Sequence, residues 1–510
     1  MTNYTMAVLF AVLLMWIVAW NLRSVKVRQT LLLFASYFFY STWGIGFLLL
    51  LVASSLLNFA VGSLLRRRLS ISYLWLGVVL NVLLLGFFKY LPPILEVGGT
   101  GSWQYDLARY IIMPVGMSFW TFQGLSYLFD LYLEEEVDPS LVEFCLYMAF
   151  WPTVVSGPVC RLPNMLPQFR QEPVLSSTNI SAGALRLIQG LFMKMYLASL
   201  LGSGLTPGEG VVAGFDQVKS GWGGIDVWLL GIGFGFLLFC DFAGYSHMVI
   251  GTARIFGIRV PENFDRPFLS TTPSVFWTRW HMSLSFWIRD YVFRPLAATR
   301  RERWWSYVAL VISMTLFGLW HGAKGTFIVF GVYHGLLLVM HRLGQRTKQR
   351  FPVRLPRYLA VFLAWGATFL LVSLGYILFR ANDLSEALSM FRSVFSPSAY
   401  QHFAMPRNFY MLILVFAIGY FIVTAGHSVL LSWAARYRKA MSERTEPAEG
   451  LWAMNFTRLT LIIGALVDFF AVRLWWWLAP ALSILAVFVG VAIYTQKAVI
   501  SVTPFIYTLF

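Results

Sequence analysis

Seven histidines, His247, His281, His321, His334, His341, His402 and His427, are the side chains of this sequence best suited to moving a proton near neutral pH. His321 has the most unusual setting. It lies in the apolar run Leu316-Phe317-Gly318-Leu319-Trp320-His321-Gly322-Ala323, with Arg300, Arg301 and Arg303 upstream and Arg342, Arg346, Lys348, Arg350, Arg354 and Arg357 downstream. With both basic segments on one side of a membrane, the chain enters, turns near Gly322 and returns. About seventeen helical residues counted from Trp304, at ~1.5 Å each, carry His321 ~26 Å inward. An ionisable group at that depth is costly to keep and is a functional candidate by default. The structural alternative is a neutral imidazole hydrogen-bonded between helices. His281, in Trp277-Thr278-Arg279-Trp280-His281-Met282-Ser283, occupies an aromatic and basic stretch that tolerates it, so its position alone favours a structural role. The same holds for His247, His334 and His427, whereas His341 and His402 read as loop or interface residues.

Other chemistry is scarce. Cys145, Cys160 and Cys240 have no metal-ligand spacing and read as small buried apolar residues, with Cys160 in the most loop-like context. No metal site is expected. Gly231-Ile232-Gly233-Phe234-Gly235 follows no strand and precedes no P-loop lysine, so it is a close-packing helix face rather than a nucleotide turn. Walker A, HExxH and GxSxG patterns are absent from the sequence.

The elements that must position these residues are membrane helices. Of 510 residues, 58% are hydrophobic and 12% charged, about half the charge of a soluble domain, and mean hydropathy is +0.67. This excludes a disordered chain, a disulfide scaffold and an ordinary soluble enzyme. The net charge of +16 comes from basic residues between apolar runs, the positive-inside pattern rather than a nucleic-acid surface. The fold class expected is an all-α polytopic membrane protein with about 11 to 13 transmembrane or re-entrant helices plus interfacial amphipathic ones. Spans are predicted at Met6–Trp20, a pair within Thr30–Leu65 broken near Trp43-Gly44-Ile45-Gly46, Ile71–Tyr90, Ile111–Leu131, Leu141–Val155, Ala182–Leu201 and Val227–Ile250. Further ones are predicted at Trp304–Leu319, Thr326–Met340, Tyr358–Leu378, Tyr410–Leu431, Leu459–Val472 and Leu474–Tyr494. Ser274–Leu296 reads as one amphipathic helix in the interface, its arginines snorkelling. Arg23, Lys26 and Arg28 after the first span place the N-terminus outside the cytoplasm, and no cleaved signal peptide is expected.

Several ordered motifs resemble the membrane-bound O-acyltransferase family. They are Trp277–Leu296 (WTRWHMSLSFWIRDYVFRPL), Gly318–Ala323 (GLWHGA) and Tyr333-His334-Gly335. Pro114–Asp130 (PVGMSFWTFQGLSYLFD), Ser156-Gly157-Pro158 with Arg161, Asp241–Ser246 (DFAGYS) and Asn263–Phe268 (NFDRPF) resemble its bacterial branch of alginate O-acetylation and teichoic-acid D-alanylation proteins. The resemblance covers about residues 30–380. It implies helices around a central funnel, with His321 as the catalytic histidine and His281 as a second site residue. The C-terminal Phe505-Ile506-Tyr507 resembles the tail motif of the small partner protein in D-alanylation systems and implies Tyr507 as an acyl carrier; a membrane-anchoring aromatic tail is the alternative.

The organisation that follows is N-terminal spans over 1–100, a catalytic core over 101–380, C-terminal spans over 381–500 and a relay-like motif over 501–510. The activity implied is transfer of an acyl group, acetyl by first choice, from a cytoplasmic thioester across the bacterial inner membrane to a cell-surface or extracellular polysaccharide. No tightly bound cofactor is expected; acetyl-coenzyme A or an acyl-carrier protein is the donor substrate. The partners implied are the lipid bilayer, that donor, an extracytoplasmic acyltransferase and the glycan acceptor, with no nucleic acid. D-alanyl transfer to teichoic acid or a comparable glycan is the runner-up, and a non-catalytic transporter of lipid-linked glycan is the alternative from another class.

Overall fold

The computed structural model describes residues 24–133, 136–172, 177–217, 221–350 and 355–442. Among them every regular element is helical. The principal helices are α1 (Val25–Ser41), α2 (Ile45–Arg67), α3 (Ile71–Lys89), α4 (Met117–Tyr132), α5 (Leu141–Ala149), α6 (Ser177–Leu191) and α7 (Gly224–Ile255). After them come α8 (Pro273–Trp277), α9 (Met282–Ile288), α10 (Arg303–His321), α11 (Gly325–Arg350), α12 (Arg357–Arg380) and α13 (Arg407–Ser442).

Seven helical stretches among the described residues are long and apolar enough to cross a membrane: Ile45–Arg67, Ile71–Lys89, Ser177–Ser203, Gly224–Ile255, Gly325–Thr347, Arg357–Arg380 and Arg407–Thr424. The break expected near Trp43–Gly46 is real, since α1 ends at Ser41 and α2 starts at Ile45 after Gly44. Four expected spans are not among the seven stretches: the first of the Thr30–Leu65 pair, which is the 17-residue α1, Trp304–Leu319, which lies within α10, and two that are cut short. Ile111–Leu131 is cut back to the 16 residues of α4, and Leu141–Val155 to the nine of α5. At ~1.5 Å per residue neither crosses ~30 Å of hydrocarbon. The cause at α4 is Gly116, whose φ is +77° and whose Cβ, were there one, would lie 2.0 Å from the Val154 carbonyl oxygen. The helix therefore starts late, and it is buried along nearly its whole length, Ser118, Thr121, Gln123, Ser126 and Asp130 included. The spans predicted at Met6–Trp20, Leu459–Val472 and Leu474–Tyr494 lie outside the described residues.

The described chain forms two compact units. The first comprises the residues up to Gly190 together with Phe242–Arg392. Its core gathers Tyr40, Trp120, Tyr127, Phe144, Tyr147 and Phe150, all inaccessible to solvent. In the same unit α10 and α11 form a hairpin whose backbones touch. A Cβ on Gly318 would meet the Phe327 carbonyl oxygen at 2.1 Å, and one on Gly331 the Met314 oxygen at 2.3 Å. Small residues allow this approach, which within a membrane replaces a hydrophobic driving force by close van der Waals packing.

The second unit runs from Leu191 to Asp241 and resumes at Ser393. Asp226, in the first turn of α7, is fully buried and accepts hydrogen bonds from the Gly223 and Ala404 amides, at 2.8 and 2.9 Å, and from the Tyr410 hydroxyl. Lys194, in a π-helical turn (Phe192–Ala198), forms a 2.5 Å ion pair with Asp241, both side chains 6% exposed.

The amphipathic helix expected over Ser274–Leu296 is not continuous. Thr272 caps α8 through its hydroxyl, which accepts from the Val275 amide at 3.1 Å. The chain then turns and restarts as α9, followed by a π-helical turn at Arg289–Phe293. The expected sidedness survives, with Phe276, Trp277, Trp280, Trp287 and Tyr291 buried and Arg289 and Arg294 exposed. Cys160 is not a reactive loop thiol. It is 1% exposed, and burial pushes its thiol up to about 12.

Candidate active site

His321 is the last residue of α10, 4% exposed. Its ring lies among Trp320 (4.7 Å between centroids), Phe379 (4.8 Å), Phe317 (5.1 Å) and Phe327 (5.9 Å). Trp320 also touches His281 at 6.2 Å, so one indole joins the two histidines, and His281 lies within electrostatic reach of His321. The aromatic run that made His321 stand out in the sequence is thus the wall of its own chamber. His281 is 1% exposed and meets Phe242 edge-on at 4.6 Å. Neither of its ring nitrogens has a hydrogen-bond partner among the described residues. Burial pushes its imidazole down to about 3, so the ring is neutral at physiological pH. Two buried imidazoles beside one indole bring ring nitrogens that can take a proton from a hydroxyl to one place.

The motifs singled out in the sequence assemble around the turn that carries His281. Its φ of +44° is a left-handed conformation uncommon for a side chain of this size. The turn is held by a short pairing of distant segments, in which the Met282 amide donates to the Asn263 carbonyl (2.9 Å) and the Asp265 amide to the Arg279 carbonyl (3.0 Å). The Asn263 side chain completes it: its Nδ2 donates to Ser246 Oγ at 3.1 Å, and its Oδ1 accepts from Ser283 Oγ at 2.6 Å. Ser283 Oγ in turn accepts from the Val159 amide at 2.9 Å. The segments bearing DFAGYS, NFDRPF and SGP therefore meet behind one histidine. The α4 motif supplies the remaining wall, since Phe119 and Phe122 pack on Trp320 and the Phe122 carbonyl accepts from Trp287 Nε1 at 3.1 Å.

Beside this chamber opens a cavity of about 350 Å³, with Trp277 and Phe317 in its wall and Arg289, Arg294 and Arg342 among its lining. Phe317 separates it from His321 by one ring. Two of these arginines also hold Asp290, which takes ion pairs from Arg161 (2.7 Å), Arg289 (2.8 Å) and Arg294 (2.9 Å). Burial pushes that carboxyl up, but the hydrogen bonds from Arg289 and Arg161 prevail and hold it below its ordinary value. Three guanidinium groups on one carboxylate leave positive charge for an anion.

His334 and His247 have structural settings. His334 meets Phe330 and Trp277 edge-on and is seated against Gly375, where a Cβ would fall 2.5 Å from its Nε2. His247 Nδ1 lies 2.6 Å from Arg186, which is itself paired with Glu262. Tyr507 lies outside the described residues. Two residues unremarked in the sequence reach the site: Lys89 donates from Nζ to the Trp320 carbonyl and lies 5.1 Å over the Trp320 ring, and Tyr90 donates to the Leu319 carbonyl at 2.9 Å. A cation closing an otherwise uncharged span, Ile71–Lys89, is the signal that could have found them.

The family follows from comparison with known proteins. The model of MBOAT, the membrane-bound O-acyltransferase family, matches residues 130–379, and that of a family of unknown function (DUF5989) matches 461–510. A probable alginate O-acetylase of Pseudomonas aeruginosa is 33% identical over 77% of this chain and 74% of its own. The peptidoglycan O-acetyltransferase of Helicobacter pylori is 30% identical over 71% and 73%, and the teichoic acid D-alanyltransferase of Streptococcus thermophilus 34% over 52% and 64%. The chain is therefore a multi-pass membrane acyltransferase and belongs to the membrane-bound O-acyltransferase family.

Proposed function

We propose that this enzyme takes an acetyl group from a cytoplasmic thioester and passes it across the bacterial inner membrane for O-acylation of a cell-surface or extracellular polysaccharide. The observation that carries the reading is the buried junction of His321, Trp320 and His281. In the chemical step His321 takes the proton of the acceptor hydroxyl as its oxygen attacks the thioester carbonyl. The C–O bond forms, the C–S bond breaks, and the proton passes on to the departing thiolate. His281 is the second site residue. The arginine-lined cavity fits a phosphate-bearing donor arm, with Phe317 between that arm and His321. No further cofactor enters this scheme.

Support for acetyl over D-alanyl is the reach of the likeness. The two acetylating relatives match 77% and 71% of the chain, the D-alanylating ones of Streptococcus thermophilus and Bacillus subtilis 52% and 62%. The tail motif favours the other donor. In that second reading, D-alanyl arrives on a carrier protein and Tyr507 holds it as an O-acyl ester, deprotonated for attack by His321 because a phenol of pKa ~10 is a weak nucleophile at neutral pH. An extracytoplasmic acyltransferase partner completes delivery to the glycan in either case, and the N-terminus faces that side.

The test is the mass of the C-terminal peptide from protein isolated with its native donor, together with alkali-labile acyl groups released from the cells. Wild type is compared with His321→Ala and Tyr507→Phe. Loss of surface acetate in the His321 variant is the expected result. An adduct of ~42 Da on Tyr507 adds a relay to the acetyl reading, and one of ~71 Da replaces acetyl by alanyl. Undiminished acylation in His321→Ala refutes the assignment of the base.

A further inference from the structure

The last turn of a helix leaves four carbonyl groups without intrahelical donors, here those of Gly318, Leu319, Trp320 and His321. At a surface, water satisfies them. Inside a membrane bundle water is absent, and each needs a donor from the protein. The end of α10 is buried on the side of Phe317, Trp320 and His321, although Ala323, Lys324 and Gly325 just beyond it are exposed, so the carbonyls on the inner side are the ones that call for protein donors. The Leu319 carbonyl accepts from the Gly322 amide at 3.0 Å and from the Tyr90 hydroxyl at 2.9 Å. The Trp320 carbonyl accepts from Lys89 Nζ. Adjacent residues at the end of α3 thus serve two consecutive carbonyls of α10.

We infer that Lys89 and Tyr90 form a C-terminal cap delivered in trans by α3, and that this cap positions His321. The proposal rests on the reading of His321 as the general base. Three features of the site require such a device. The ammonium lies at the negative end of the α10 dipole, where a cation is favoured. It also lies 5.1 Å from the centre of the Trp320 ring, so the same group fixes the carbonyl and the indole of one residue. That indole is the contact shared by His321 and His281. A shift of the last turn of α10 therefore moves the base and its aromatic wall together. Lys89 and Tyr90 are positioning residues, acting on the reaction through His321 without touching the substrate.

Full-length protein in membranes or nanodiscs carries the test, in the variants Lys89→Met, Lys89→Arg, Tyr90→Phe and His321→Ala. The first readout is amide hydrogen exchange of the peptide covering 316–324, which reports the cap without any chemistry. In Lys89→Met this peptide exchanges about ten- to a hundredfold faster, the loss of one charge-assisted hydrogen bond, while the remainder of α10 keeps its protection. Tyr90→Phe gives a smaller rise in the same peptide. The second readout is the rate at which alkali-labile acyl groups accumulate on cells at equal membrane protein. It falls about a hundredfold in Lys89→Met, the consequence of a base displaced by about 1 Å, and Lys89→Arg recovers most of both losses.

Unchanged exchange at 316–324 overturns the cap. Faster exchange with undiminished acylation overturns the positioning role if His321→Ala is inactive. If His321→Ala is itself active, the reading of the base fails and the cap stands. A uniform rise in exchange along the chain would mark Lys89 as a general stability residue and also overturn the proposal.

Discussion

Gly318→Ala should disable this enzyme while leaving it folded, and the expected size of the effect follows from the hairpin geometry. Gly318 lies one turn before His321, on the face of α10 that meets α11. The added Cβ would fall 2.1 Å from the Phe327 carbonyl oxygen and 3.0 Å from both the Cα and the amide nitrogen of Gly331. All three are backbone atoms, so no side chain can rotate out of the way. An ordinary C···O contact is ~3.3 Å, so the helices must part locally by about 1 Å. Overpacking of this kind costs about 1–3 kcal/mol, which a multi-span protein survives. The base, however, is three residues away on the displaced turn, and a 1 Å misplacement is worth about a hundredfold in rate. The assay is acyl accumulation on cells at matched membrane levels, alongside the thermal midpoint of detergent-purified protein. Gly344→Ala, on the same hairpin with nothing within 4 Å of the new methyl, is the internal comparison. It should gain about 0.5–1 kcal/mol of helix stability and keep full activity. A Gly318→Ala enzyme within threefold of wild type would refute the argument that backbone contact at this seam sets the position of His321.

Three other outcomes are expected. The folded protein keeps His281 neutral down to about pH 3, whereas the unfolded chain takes up that proton near 6.5, so stability falls with pH across that window; from 6.5 to 5 the contribution is about 2 kcal/mol. His281→Asn, which accepts positive φ and does not titrate, should remove about that share of the pH dependence of the thermal midpoint between those values. Maleimide should fail to label Cys160 in the native protein at pH 7 and label it after denaturation, as read by peptide mass. Lys194→Met should destabilise the protein by about 3–5 kcal/mol, because Asp241 is left charged and buried, and Lys194→Met with Asp241→Leu should recover most of that loss in the thermal midpoint.

How far the site could be read in the sequence depends on what kind of group each residue needs as a partner. His321 was visible because its environment is local. The apolar run that buries it is its own helix and the next one. The helix break at Trp43–Gly46 was visible for the same reason. His281 was a different case. Its flanking tryptophans and arginines made a structural role the better reading, and only the family resemblance lifted it. What the sequence could not display is the turn that holds it, because that turn depends on pairing with Asn263 and Asp265 and on hydrogen bonds reaching Ser246 and Val159. The continuous amphipathic helix expected there was wrong for the same physical reason: a period of 3.6 predicts where side chains face, and the long-range bonds that interrupt the helix leave no trace in it.

Lys89 marks the limit of spacing arguments. Its partner is the carbonyl of Trp320, a group that every residue carries, 231 positions away. No pattern of residue types announces a backbone acceptor. Only the cation itself was on display, closing an apolar span that holds no acidic residue. In a soluble protein such a lysine would simply be solvated. Against the apolar wall of a membrane protein a charge is favoured where something opposes it, and the unsatisfied end of a helix dipole is one such place. Lone cations at the ends of otherwise uncharged spans are therefore worth matching first to helix C-termini, and here that match leads directly to the turn that carries His321.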